Sequence, residues 1–154
     1  MDIFTNRACP NWDKSDGDLV VEMLQRKSAL GLTRSMAHHP MMQYGVAEIV
    51  LGLESVLPQL ESVAVDWSNA TERGPAFALR IVAAKYNAVE TAFRVADRAL
   101  DLSGGFGMFK KSELERLFRD SRAGRFHPAN WALTHELIAK MTLGIDPDAQ
   151  PRWG

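Results

Sequence analysis

The stretch RVADRALDLSGGFGMFKKSELERLFRDSRAGRFHPAN, residues 94–130, decides the fold of this chain. It starts with apolar residues at helical spacing and then meets three glycines within four positions, Gly104, Gly105 and Gly107. Ser112 follows, with Glu115 three positions later, and this spacing is typical of a capping box at the start of a helix. The stretch therefore predicts a helix, a turn with a left-handed glycine among the first two, and a second helix.

Helical periodicity continues outside this stretch and predicts an all-α protein. The expected architecture is an up-and-down four-helix bundle plus a short C-terminal helix, with helices over residues 18–34, 39–65, 75–102 and, for the last two, 113–141. Residues 1–15 are expected to form an irregular leader that ends in a cap at Asp16, and residues 16–154 a single helical-bundle domain.

Prolines mark the beginnings of two of these helices and lie inside one of them. Pro40 and Pro75 suit the first turn of the second and third helices, where a missing N–H costs nothing. Pro58 lies inside the second helix, so it is expected to kink that helix or to split it near Leu57.

Composition excludes several classes of function. The net charge of −1 gives no support for nucleic-acid binding. No apolar run reaches the length of a membrane span, and the start of the chain lacks the order of a signal peptide, so a cytoplasmic location is expected. A single cysteine, Cys9, excludes an internal disulfide, and the spacing of His127 and His135 does not suit a metal site.

Charge is unevenly distributed along the chain. Residues 35–72 hold five acids and no Lys or Arg, whereas residues 104–125 hold six bases and three acids. The basic segment is either a solvated helix face or, because glycines lie beside it, a place to hold phosphates.

The order VADRALDLSGGFGM followed by LERLFRDSR resembles the C-terminal helical domain of the acyl-CoA dehydrogenase family. The resemblance covers most of the chain after the first fifteen residues. It implies FAD as cofactor, an acyl-CoA as substrate and association into a dimer or tetramer. In the family an N-terminal helical domain and a central β-domain come before this domain, and neither is expected within these 154 residues.

The resemblance assigns cofactor contacts to a set of residues of this chain, which are Arg34, Gln43, Gly104, Gly105, Gly107 and Asn130. Two differences from the family's residues weaken the case for these cofactor contacts. Ala37-His38 stands where the family has Phe-Gly, so an aromatic stack is lost. Asp101 stands where the family has a glutamine, and a carboxylate repels a pyrophosphate unless a base such as Arg98 or Lys110 neutralises it.

The catalytic base of the family has no counterpart at its usual place. The family's glutamate, which removes the α-proton of the acyl group, aligns with Pro128, and proline cannot exchange a proton. Some branches of the family place the base on the first helix, where Glu22 is a weak candidate beside Asp16 and Asp18. The better explanation of Glu22 is a solvated first-turn acid of a capped, amphipathic helix.

Three functions are compatible with these observations. The first is a flavoprotein fragment or subunit that forms part of an FAD and acyl-CoA site, is inactive alone and takes its β-domain from a second polypeptide. The second is a non-enzymatic helical assembly module or remnant. The third is a flavin monooxygenase of the same fold, which needs no α-proton base.

Overall fold

A computed structural model describes residues 16–26, 33–69 and 74–148. The helices are α1 (Asp16–Arg26), α2 (Pro40–Ser68), α3 (Pro75–Ser103), α4 (Glu113–Ala123) and α5 (Trp131–Leu143). Two 3₁₀ segments, Met36–His38 and Gly104–Met108, precede α2 and follow α3. The all-α class and the five helices are confirmed, and no strand occurs in these three ranges. The expected leader and Cys9 lie outside them.

Helix α3 is the central element, because α1, α2, α4 and α5 all pack against it. Its alanines are small enough to let neighbouring helices approach closely: Ala84, Ala96 and Ala99 are at most 2% exposed. The principal core cluster contains Ala99 of α3 together with buried aliphatic residues of the other helices, namely Val20, Leu24, Ile49 and Leu114. This cluster lies at the end of the bundle where α2 begins and α3 ends, and it holds the helices together there.

Most helix boundaries agree with the sequence. Helix α3 begins at Pro75 as predicted and ends one residue later than predicted. Helix α2 begins after His39, whose Nδ1 accepts a hydrogen bond from the Met41 N–H at 3.3 Å and so caps the helix. Among the described residues, no helix combines the length and the apolar character that a bilayer crossing requires.

Three details of the prediction are wrong. Helix α2 runs through Pro58 without a break, so of the two expected outcomes, a kink or a split near Leu57, the split does not occur. Contacts with α3 lie on both sides of Pro58, at Gly45 and at Asp66. The first helix does not reach Arg34, which lies in a bend. Ser112 is the N-cap of α4, but its side chain makes no capping hydrogen bond, so the capping box is not formed.

Candidate functional site

The glycine turn, Gly104–Met108, ends α3 and leads towards α4. Gly104 has φ +62° and ψ −157°, a conformation that is essentially restricted to glycine. A Cβ at Gly107 would overlap Ser103 Oγ and lie 2.9 Å from Leu100 Cδ1, so this residue must be glycine for the turn to pack on α3. Both residues are therefore required by the fold itself.

Gly105 is different. It is exposed, and a Cβ built on it would meet nothing within 4 Å. Because neither backbone conformation nor packing demands glycine here, the fold leaves this residue open to approach by another group.

Substitution of the three glycines by alanine should separate these roles. Gly104→Ala is expected to lower the free energy of unfolding by about 1–3 kcal/mol, because a Cβ disfavours this backbone conformation. Gly107→Ala should cost a similar ~1–3 kcal/mol through overpacking. Gly105→Ala should change it by less than about 0.5 kcal/mol. Urea unfolding measures all three, and a large loss for Gly105→Ala would show that this residue too is structural.

A charged triplet lies one turn before the glycine turn. Arg98 Nε is 2.7 Å from Glu48 Oε2 on α2, and Arg98 Nη1 is 3.6 Å from Asp101 Oδ2. Of the two bases expected to neutralise Asp101, the structure places Arg98 beside it. Since Arg98 is shared with Glu48, the three side chains together keep one net negative charge.

Three of the six bases in the segment 104–125 pair with acids within the protein. Arg116 contacts Glu113 and Asp120, and the hydrogen bond that its guanidinium donates to Glu113 holds the pKa of the Glu113 carboxyl below its usual value. Arg119 pairs with Glu115, and Arg125 pairs with Glu90 on α3 at 2.5 Å. The solvated helix face is therefore the better description of α4, and the cations next to the glycine turn are the exposed Lys110 and Lys111.

Gln43 and Arg34 lie at the same end of the bundle as the glycine turn. The Gln43 side-chain amide donates a hydrogen bond to the Ala37 carbonyl at 3.0 Å, and nearby Gly45 packs on Leu102 of α3. Arg34 is exposed and lies two residues before Met36, which packs against the same core cluster. Ala37 and Gln43 also line an apolar cavity of about 320 Å³ between α1 and α2.

The segment around Pro128 is held by a single lysine. Lys85 Nζ donates hydrogen bonds to the carbonyls of Pro128 and Ala129, both at 2.7 Å, and to that of His127 at 3.3 Å. Asn130 follows as the N-cap of α5, where its Oδ1 accepts from the Leu133 N–H at 3.1 Å and its Nδ2 remains a donor. Lys85 thus fixes the backbone around Pro128, the position that was expected to align with the catalytic glutamate.

The predicted site residues fall into two groups. Asn130 and Pro128 lie beside Lys85, whereas Gly104 lies at the end of the same helix. At about 1.5 Å of rise per residue, the two places are about 28 Å apart along α3. One copy of the chain therefore does not bring them together.

Glu22 is paired on its own helix. Its Oε1 lies 2.5 Å from Arg26 Nη2, one turn further along α1. This arrangement is the ordinary i,i+4 ion pair of a partly exposed helix face.

Two features were not anticipated from the sequence. Lys85 was not singled out, although a lone cation within the alanine-rich run IVAAKYNAVE of α3 is a signal that something polar faces it. The ring of His135 is packed edge-on to Tyr86, with a centroid distance of 5.0 Å. Within the part of the chain that the structure describes, no three His, Cys, Asp or Glu side chains group as metal ligands.

Comparison with known proteins agrees with this architecture. The structure is similar to a protein of Mycobacterium smegmatis identified as a candidate acyl-CoA dehydrogenase, with a TM-score of 0.75 and 26% identity over 85% of this chain and 33% of that one. It is also similar to butyryl-CoA dehydrogenase of Megasphaera elsdenii, with a TM-score of 0.75 and 16% identity, over 83% of this chain and 32% of that one. An electron transferring flavoprotein of Acidaminococcus fermentans matches with a TM-score of 0.74 and 16% identity over the same shares, 83% and 32%.

At these identities the second and third similarities show a common fold. The chain spans about a third of the length of each of these proteins. A search of curated protein sequences finds no match. Residues 15–131 match the family model described as acyl-CoA dehydrogenase, C-terminal domain. The chain therefore belongs to the acyl-CoA dehydrogenase family, of which it carries the C-terminal helical domain.

Proposed function

We propose that this chain supplies one wall of an FAD and acyl-CoA site and the surface through which the subunits associate. The remaining parts of a complete enzyme, above all a β-domain, would be contributed by other polypeptide sequence. The proposal starts from family membership and from the match to about a third of two acyl-CoA dehydrogenase structures.

The glycine turn is the first support for the cofactor role. Gly104 and Gly107 are explained by the fold, but Gly105 is exposed with open space around it. A backbone without a side chain lets a phosphate group approach its N–H closely. The exposed Lys110 and Lys111 provide positive charge beside it.

The distance between the two groups of site residues is the strongest support for the proposal. Gly104 lies about 28 Å along α3 from Lys85, which binds the residue before Asn130. Gly104 and Asn130 can contribute to one compact site when the glycine turn of one copy meets the Asn130 region of another. A shared site of this kind makes association a condition for cofactor binding.

We expect the isolated chain to be colourless and inactive. Pro128 offers no carboxylate for α-proton removal, Glu22 is paired with Arg26, and Ala37 provides no aromatic ring for a flavin to stack on. The test is a visible spectrum of the purified chain, followed by dye reduction with added FAD and acyl-CoAs of several chain lengths. A yellow protein that reduces dye would refute the expectation, and loss of that activity in Glu22→Gln would identify the base.

Self-association is expected independently of cofactor. Several large apolar side chains are exposed in the single chain, including Leu51 and Trp67 at 69% each and Phe109 at 64%. Exposed aromatic and aliphatic side chains are typical of an interface where they form a contiguous patch. Light scattering at concentrations on the order of tens of micromolar should give a dimer or tetramer, and a monomer would contradict this part of the proposal.

A further inference from the structure

Polar side-chain pairs join α2 and α3 towards both ends of their contact, and a groove lies between the two helices in the middle. Near one end Arg98 binds Glu48. Towards the other, Asn87 donates a hydrogen bond to Gln59 at 2.9 Å, and Arg80 binds Asp66 at 2.8 Å. Between these pairs lies a groove of about 580 Å³, whose floor is formed by Gly52, Thr91 and Val95.

The rim of this groove carries one base and one acid without a partner of opposite charge among the described residues. Arg94 is exposed, and its guanidinium donates to Thr91 Oγ1 at 3.1 Å, with no carboxylate in ion-pair distance. Asp97, one turn further along α3, is also exposed and has no cation in ion-pair distance. Leu51 stands beside them on α2 with 69% of its surface exposed.

This pattern is complementary to itself. Arg94 and Asp97 lie three positions apart, about 4.5 Å along the helix axis, and both border the same groove. A two-fold axis passing between positions 95 and 96 of two antiparallel α3 helices sets position 94 of each copy opposite position 97 of the other. Such an isologous contact forms the same pair twice. It also covers the exposed Leu51 of both copies.

We infer that the groove between α2 and α3 is an interface with a second copy of this chain, in which Arg94 of each copy pairs with Asp97 of the other. This inference rests on the self-association in the proposed function and adds its location and its symmetry. The occupant is a second copy because the two rim residues without a charged partner among the described residues, Arg94 and Asp97, are one base and one acid, whereas an anionic ligand would be opposed by Asp97, Asp101 and Glu48.

The test uses charge reversal followed by mixing. In Arg94→Asp, aspartate faces Asp97 of the partner at two places, and in Asp97→Arg, arginine faces Arg94 at two places. Like charges in contact oppose association, so each variant alone should associate at least about tenfold more weakly than the natural chain. Mixed one to one, the two variants restore both pairs with opposite sign, and a heterodimer should form. The double variant Arg94→Asp with Asp97→Arg should regain self-association.

Matched controls are available on exposed residues outside the groove. Arg119→Asp on α4 changes net charge as Arg94→Asp does, and Asp148→Arg changes it as Asp97→Arg does. Both controls should associate like the natural chain. Light scattering gives the masses, and thermal unfolding confirms that each variant is folded.

Different outcomes overturn different statements. If the natural chain associates and the single variants associate equally well, the groove is not the interface, and self-association itself stands. If the single variants are monomeric but their mixture gives no heterodimer, the reciprocal pairing is wrong. If the natural chain is a monomer, both the inference and the self-association of the proposed function fail.

Discussion

Replacing Ile49 by alanine should lower the free energy of unfolding by about 2–5 kcal/mol. Ile49 is 2% exposed and belongs to the cluster in which residues of α1, α2, α3 and α4 meet. Truncation removes buried apolar surface and leaves a cavity that four packed helices cannot easily close. Because native domains are stable by only about 5–15 kcal/mol, this is the largest single effect we expect in the bundle.

Ile145→Ala is the matched control for this experiment. The same atoms are removed from a residue that is 46% exposed and lies after α5. The loss should stay below about 1 kcal/mol. Urea unfolding of both variants at one protein concentration measures the difference. Equal losses would mean that the cluster around Ile49 is not the principal core.

Gly45→Ala should destabilise the protein relative to Gly52→Ala by about 1–3 kcal/mol. Both glycines lie inside α2, so alanine improves helix propensity at each by a similar ~1 kcal/mol, and this gain cancels in the comparison. The difference lies in packing. A Cβ at Gly45 would be 2.5 Å from Leu102 Cδ2, whereas one at Gly52 would be 3.4 Å from Val95 Cγ2, an ordinary contact.

Leu102 is only 7% exposed, so it has little room to move away from a new methyl group at Gly45. The comparison therefore reports on how closely the start of α2 approaches the end of α3. Chemical denaturation of the two variants gives the two free energies. A Gly45→Ala protein as stable as Gly52→Ala would show that the helices are further apart there, and the placement of Gln43 near the glycine turn would lose its basis.

The amino-acid sequence by itself determined the class of fold and most helix boundaries. Long runs at helical spacing, Pro75 at a first-turn position and the glycines after Ser103 are local signals, and they specified α3 almost to the residue. The motif order also identified the family that the match over residues 15–131 shows. The fold class and the helix boundaries depend on residues that are close together along the chain, so they can be predicted from the sequence.

Tertiary structure decided what depends on packing between helices. Pro58 was expected to kink or split α2, and the helix is not split, because contacts with α3 on both sides of Pro58 offset the local cost of a proline. The roles of the glycines also depend on the tertiary structure. Ser103 and Leu100 lie too close to Gly107 to leave room for a Cβ, whereas Gly105 has open space around it.

The same holds for the candidate site. The sequence names Gly104 and Asn130 but gives no distance between them, and the length of α3 places Gly104 about 28 Å from Lys85, which binds the residue before Asn130. Lys85 reaches three carbonyls more than forty positions away, and Arg98 bridges Asp101 to Glu48 on another helix. Such contacts join residues remote in sequence, so their geometry exists only once the helices are packed.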